Sequence, residues 1–320
     1  MSAKKVINAI KRHSKFLITS HIGLEGDALG SELALASLLK KLGRQAFIVN
    51  GDTTPSNLKF LPGEKKLYHR LIKPTFEAVF IVDCPNKHRI GPVLTLLDDS
   101  KPIINIDHHI GNKKFGKINW CDPKASSTGE MIYRLFELTQ TKLDKKDALN
   151  LYTAILTDTG CFRYSNTTSA ALLISSELLK FGIEPAKIYA RIYENNSAQE
   201  LTYLAKIISR MSFAANNKIA WVKINKTEFK RIKGKQELLD KVFDFARSIN
   251  TVKVVIVFSQ LNSRLVKLSF RSKKPIDVQK IALFFGGGGH KYASGCVIKG
   301  NIKEIEKRIL RQVKRVTIGC

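Results

Sequence analysis

KPIINIDHH (101–109) is almost wholly apolar from Pro102 to Ile106 and then ends on an acid and two histidines. A near-continuous apolar run of this length suits a central strand of a parallel sheet covered on both faces. EAVFIVDC (77–84) has the same texture and ends on Asp83 and Cys84. FLITSH (16–21) and QAFIVN (45–50) read as two further strands, and LGSELALASLLKKLG (29–43) between them reads as a helix closed by Gly43. Ser127 and Glu130 suggest a capping box that opens a helix running to about Thr139. DALNLYTAILTDTG (147–160) allows helix or strand, with apolar spacing that favours helix. Such alternation predicts an α/β domain with a doubly wound, mostly parallel sheet.

The texture changes after about residue 185. Residues 187–208 read as a polar helical connector. Beyond it come a strand at KIAWVKIN (218–225), a helix near 235–249, and the runs KVVIVFSQL and RLVKLSFRS, separated by Asn262 and Ser263 as in a hairpin. A helix over 277–285, the run GGGGH and a basic amphipathic helix over 302–316 complete a smaller α+β domain. The expected division is therefore 1–186, a connector 187–208, and 209–320.

At 320 residues, 44% of them hydrophobic, the chain is long enough for two globular domains. No apolar run approaches the ~20 residues that span a bilayer. Lys11, Arg12 and Lys15 interrupt the N-terminal segment, so a signal peptide is not expected, and a cytoplasmic protein without a membrane partner is. The five cysteines lack CxxC spacing, which argues against a disulfide framework or a zinc knuckle. Lys and Arg number 54 against 27 acids, a net charge of +27. That excess favours polyanionic ligands, although the lysines are spread along the chain and also fit a general lysine bias.

Acids and histidines collect where apolar runs stop. His21 ends one, with Glu25 and Asp27 in the loop HIGLEGDALGS behind it; Asp83 ends another; Asp107, His108 and His109 end a third; Asp158 follows a fourth. In open α/β sheets such loops converge outside the carboxyl ends of the strands. Several carboxylates gathered there would repel one another unless divalent cations sit among them. Mixed imidazole and carboxylate ligands suit manganese, iron or zinc, and an oxygen-rich set tilts toward Mn2+ or Mg2+. The ligands suffice for two ions, an arrangement suited to phosphoryl hydrolysis.

In the second half, Gly287, Gly288 and Gly289 would let backbone N–H groups approach an anion. With His290 and Arg271 they form a candidate nucleotide clamp. Arg163 and Arg89 follow the acids closely enough to be phosphate contacts, and Tyr292 is the better candidate to stack a base. Phe284 and Phe285 are expected to pack their helix against the sheet.

The triplet DHH (107–109), together with HIGLEGDALGS, VDCPNKHRIG, TDTGCFRYSNTT and GGGGHKYASGC, resembles the DHH phosphoesterases. Within them it is most similar to the bacterial nanoRNase/pAp phosphatase group. The resemblance covers nearly the whole chain and implies a DHH domain, a DHH-associated domain and an active site in the cleft between them. It implies that His21, Glu25 and Asp83 hold one cation, and that Asp27, Asp83, His108 and Asp158 hold the other, with Mn2+ the expected ion and Mg2+ or Fe2+ the alternatives. His109 would contact the phosphate, and Asp107 would orient a ligand from behind. Two departures stand out: Glu25 replaces the family's usual Asp, and Asn86 stands near a position that often carries a second acid.

The implied activity is hydrolysis of very short single-stranded RNA to nucleoside monophosphates and removal of the 3′-phosphate of pAp; a homodimer is a compatible assembly. Rival readings are hydrolysis of linear or cyclic dinucleotides, RecJ-like single-strand exonuclease action, and a non-catalytic nucleic-acid-binding protein on a decayed scaffold. The intact Asp27, Asp83, His108, His109 and Asp158 oppose the last of these.

Overall fold

A computed structural model describes residues 2–68, 74–98, 100–232 and 236–318. The chain divides into two units, Met1–Asn195 and Asn196–Cys320. In the first, the order is α1 (Ser2–Arg12), β1 (Lys15–Thr19), α2 (Gly26–Lys41), β2 (Gln45–Ile48), β3 (Ala78–Val82), β4 (Ile103–Asp107), β5 (Ile118–Cys121), α3 (Thr128–Leu138), α4 (Lys145–Asp158), α5 (Ser169–Leu179) and α6 (Pro185–Tyr193). The five strands are all parallel and ordered β2-β1-β3-β4-β5.

Both faces of this sheet are covered, which is why its central strands read as continuous apolar runs. Phe16, Ile18, Phe80, Val82, Ile104 and Ile106 point into one core, shared with the helices. Leu17, Val79 and Ile81 point to the other, where Ile90, Val93 and Leu96 meet them. That second layer is a stretch of 3-10 turns over Lys87–Leu96 rather than a long helix. Helix α2 is buried on nearly every side because it lies between the sheet and α4. It begins three residues earlier than its apolar pattern announces.

Two caps differ in detail from the sequence reading. Ser127 accepts the Glu130 N–H as a helix cap should, but the Glu130 carboxylate closes on the N–H and hydroxyl of Ser126 instead of the N–H of Ser127. Helix α4 starts at Lys145, where Asp144 and Asp147 form a full capping box. The short strand INWC (118–121), with its single buried residue Trp120, carries too weak a pattern to be singled out from sequence.

The second unit runs α7 (Ala198–Ile208), β6 (Ser212–Ala214), β7 (Ile219–Ile224), α8 (Lys226–Ile232), α9 (Gln236–Ser248), β8 (Val254–Gln260), β9 (Leu265–Ser272), α10 (Val278–Phe284), β10 (Gly288–His290), β11 (Ala293–Lys299) and α11 (Ile302–Ile318). Residues 187–208 are thus divided, most of α6 lying in one unit and α7 in the other. The six-stranded sheet, ordered β10-β11-β9-β8-β7-β6, is antiparallel except for the β7–β8 pair. Alternation along β8 sends Val254, Ile256 and Phe258 to the α10/α11 face, and Val255 and Val257 to the α7/α9 face.

Phe284 departs from its expected role, being 70% exposed. The packing stripe of α10 is Val278, Ile281, Ala282 and then Phe285, at i, i+3, i+4 and i+7, and Phe284 falls outside it.

Phe80 is fully buried and its ring lies 5.2 Å from that of Phe16. Phe80→Ala is expected to cost about 3–5 kcal/mol in denaturant unfolding. Leu173→Ala, at a residue 68% exposed on α5, should change stability by no more than about 0.5 kcal/mol.

Candidate functional site

The order of the first sheet reverses at β1, which has β2 on one side and β3 on the other. Crevices form beyond the carboxyl ends of strands at such a reversal, and the acids and histidines gather there. His21 follows β1, Asp83 follows β3, and Asp107 closes β4 with His108 and His109 behind it. Asp83 adopts φ 52°, a left-handed backbone that Asp tolerates better than most residues and that turns the chain sharply off the strand. Glu25 occupies the N-cap position of α2 without a side-chain capping bond, and Asp27 lies in the first turn. Gly26 between them lies so close to Thr157 that a Cβ would fall 2.4 Å from its hydroxyl oxygen. Asp158 comes from the last residue of α4, not from a strand end.

The distances gather all six expected ligands. His21 Nε2 lies 3.3 Å from Glu25 Oε1 and 3.5 Å from Asp83 Oδ2. His108 Nε2 lies 3.7 Å from Asp27 Oδ2, 3.6 Å from Asp83 Oδ1 and 3.5 Å from Asp158 Oδ2. Three groups have donor atoms all within 4.8 Å of one another: His21–Glu25–Asp83, Asp27–His108–Asp158 and Asp83–His108–His109. Glu25 is the open member, its side chain 60% exposed, whereas those of His21, Asp27 and Asp83 are buried. His21 Nε2 and Asp83 Oδ2 are buried and face each other without a formed hydrogen bond. Two orphaned donor atoms of opposite chemistry, converging with other carboxylates, fit a divalent cation.

The electrostatics agree. Burial opposes ionisation of Asp27, and the charges of Asp83 and Asp158 push its pKa further up. Asp158 is raised by burial and by the charges of Asp83 and Glu25. Asp83 resists the same burial because His21, His109 and His108 surround it, and its carboxyl is held below the usual range. Burial disfavours charge on His21, yet Asp83 and Glu25 raise its pKa to about 10. Without a cation, protons on imidazoles take the place of positive charge that the cluster requires.

Several supports were not visible in the sequence. Asp27 accepts the N–H of Thr128 at 2.7 Å and of Gly129 at 2.8 Å, at the N-terminus of α3, where the helix dipole favours an anion. The Thr128 hydroxyl donates to Asp83 at 3.2 Å. Asn166 donates to Asp158 at 3.0 Å, and Asn112 to Asp107 at 2.5 Å. Glu32, read only as part of an amphipathic helix, is buried behind the site; burial pushes its pKa up to about 8, and its carboxylate accepts from Asn50.

Asp107 corrects one expectation. Its Oδ1 accepts from Nδ1 of His109 at 2.6 Å, so it orients His109 and not a residue of the expected ligand set. Burial works against charge on His109, but Asp107 and Asp83 raise its pKa to about 9. Asn86 caps the turns that follow β3, its side chain accepting the Arg89 N–H. Arg89 brings its guanidinium 3.3 Å from His21 Nδ1. Arg163 is exposed and donates to Gly160 O.

In the second unit Arg271 is 3.7 Å from Asp240 and lies over the Phe243 ring at 4.9 Å. Its glycine run is a strand edge and not an open loop. Gly288, Gly289 and His290 pair with Gly295, Ser294 and Ala293, and a Cβ on Gly287 or Gly289 would strike β11. Tyr292 is half-buried, with Lys291 Nζ 5.7 Å from its ring centre.

Two family models match, the DHH family N-terminal domain over residues 15–157 and the DHHA1 domain over residues 204–316. The chain is 31% identical to the bifunctional oligoribonuclease and PAP phosphatase NrnA of Thermus thermophilus, across 93% of this chain and 88% of that protein. It is 26% identical to the protein of the same name from Bacillus subtilis, across 92% of each. It is also similar to the crystal structure of an exopolyphosphatase-related protein from Bacteroides fragilis, with a TM-score of 0.90 and 26% identity over 99% of this chain and 97% of that one.

Titration calorimetry should show two Mn2+ bound per chain, falling to one in Glu25→Ala and weakening at both positions in Asp83→Asn. Mn2+ at about a hundred times its Kd should stabilise the wild type by about 2.7 kcal/mol for each site filled, about 5.4 kcal/mol for two, in thermal unfolding, and Asp83→Asn should lose most of that gain.

Proposed function

The chain belongs to the DHH family of phosphoesterases, and from that premise we propose that it hydrolyses very short RNA to nucleoside monophosphates and removes the 3′-phosphate of pAp. One observation carries the reading: at the reversal point of a parallel sheet Asp83 completes the His21–Glu25–Asp83 group and lies 3.6 Å from His108 of the Asp27–His108–Asp158 group. The NrnA relatives, aligned over most of both chains, supply the substrate class.

In this reading His21, Glu25 and Asp83 hold one divalent cation, and Asp27, Asp83, His108 and Asp158 hold the other. Mn2+ suits the mixture of imidazole and carboxylate donors. When bound, such ions supply Lewis acidity, lowering the pKa of water and neutralising phosphoryl charge. Thr128 and Gly129 fix Asp27 from behind, so its carboxylate keeps one orientation. Asn166 does the same for Asp158.

His109 does the work that needs a proton. Its Nδ1 faces the Asp107 carboxylate at 2.6 Å, which favours the protonated ring with Nδ1–H donating to Asp107. Nε2 is then the nitrogen for the substrate, stabilising negative charge on a phosphoryl or leaving oxygen. Arg89, beside His21, is assigned to a substrate phosphate, and Arg163 to a more exposed one. Tyr292, His290, Arg271 and Gly287–Gly289 are assigned to the nucleotide, with Arg271 also anchored by Asp240 and Phe243.

Among the described residues no helix is long and apolar enough to cross a membrane.

The test is turnover of a dinucleotide, a pentanucleotide, a long RNA and pAp by purified protein with Mn2+. His109→Ala should lose about 100- to 1000-fold in kcat on the dinucleotide while still binding metal. Asp107→Asn should lower kcat with little change in KM, since it disturbs the orientation and charge of His109 and, besides it, only the bond from Asn112. Tight RNA binding with no turnover of any substrate would overturn the reading.

A further inference from the structure

The positive charge is not evenly shared. Residues 196–320 carry 26 Lys and Arg against 8 Asp and Glu, a net +18 of the chain's +27, although they are the shorter unit. A uniform lysine bias does not produce that asymmetry.

Helix α11 carries much of it on one side. Lys303, Lys307, Arg308, Arg311, Lys314 and Arg315 are exposed, while Ile305, Ile309, Val313 and Thr317 are buried. Among the described residues none of these six cations forms an ion pair. Of the two acids on the helix, Glu306 turns inward to accept from Trp221 Nε1 at 2.6 Å and Lys223 Nζ at 2.9 Å. Only Glu304 shares the outer face. Lys303, Lys307, Arg311 and Lys314, at i, i+4, i+8 and i+11, form one line that Arg308 and Arg315 flank. From Lys303 to Arg315 the strip is about 18 Å long at ~1.5 Å per residue. The guanidinium of Arg308 lies 5.7 Å from the centre of the Phe285 ring, which steadies it.

Six like charges on one helix face repel one another and lower its stability by their mutual field. A polyanion laid along the strip removes that repulsion and releases its own counterions. We propose that the outer face of α11 is a docking strip for the phosphate backbone of single-stranded RNA longer than the catalytic centre's own substrates. Lys and Arg contacts to phosphate carry no sequence information, so the strip holds RNA irrespective of sequence. It rests on the hydrolytic reading only in taking RNA as the polyanion.

The experiment compares wild type with the triple variant Lys307→Glu, Arg311→Glu, Lys314→Glu. Binding of a long single-stranded RNA is measured by fluorescence anisotropy over a range of salt, with metal chelated so that the strand stays intact. Turnover of a dinucleotide with Mn2+ is measured separately. If the strip binds RNA, the variant loses at least about tenfold in affinity, and its salt slope falls by about 0.7 for each lost phosphate contact. Dinucleotide turnover then stays within about twofold of wild type.

Unchanged RNA affinity and slope overturn the proposal. So does an equal fall in dinucleotide turnover by a variant with an unchanged thermal midpoint, since the strip would then belong to the catalytic site. Loss of binding to vesicles containing phosphatidylserine, with RNA binding intact, would assign the face to a membrane surface instead. If the charge reversals prevent folding, the corresponding Gln variants give the same comparison. Failure of the catalytic reading shows separately, as absent dinucleotide turnover in the wild type.

Discussion

A buried carboxylate to which positive charge must be brought sets the character of this protein. Asp83 is buried at the end of a central strand, within reach of three histidines and beside two further carboxyl groups that burial drives toward protonation. Water is excluded, so the charge has to be met by protons on imidazoles or by a cation. The left-handed backbone at Asp83 costs about 1 kcal/mol or more and is retained where the carboxylate faces both ligand groups. A site that holds acids this close, most of them buried, is built for positive charge, and phosphoryl transfer is chemistry that uses it.

The scaffold makes that concentration of charge tolerable. The sheet is largely apolar on both faces, Asn105 being a buried exception within β4, and charged groups appear only where strands end. Helix termini supply the remaining polarity. The N-terminus of α3 offers Thr128 and Gly129 N–H groups to Asp27. The C-terminus of α4 places Asp158 beside carbonyls whose dipole favours a cation. Close contact between Gly26 and Thr157 packs the N-terminus of α2, which carries Glu25 and Asp27, against the end of α4. The ligands are therefore positioned by packed secondary structure, which holds geometry better than a mobile loop.

Adjacent histidines have separated roles for the same physical reason. His108 turns Nε2 toward Asp27, Asp83 and Asp158, whereas His109 gives Nδ1 to Asp107, which raises its pKa. Residues neighbouring in sequence leave a strand end in different directions, so one can serve the metal and the other the substrate. In the second unit the glycine run has a structural explanation of its own. Side chains at Gly287 or Gly289 would collide with β11, so the sequence there is set by strand packing as well as by any ligand.

Much was legible from the chain alone. Burial on both faces writes itself as continuous apolar runs, and the sudden appearance of His21, Asp83 and Asp107-His108-His109 at the ends of those runs marked the site. The candidate ligand types and their order along the chain required no structure. Partners far apart in sequence did. Asp27 is held by Thr128, 101 residues away, and Asp107 meets His109 rather than a residue of the expected ligand set. Phe284 reads as core yet lies outside the packing stripe of a two-turn helix. Periodicity is a local property of the chain and survives in the sequence. The direction of a side chain at a turn, and the helix end that it meets, are fixed only when the sheet and helices have packed.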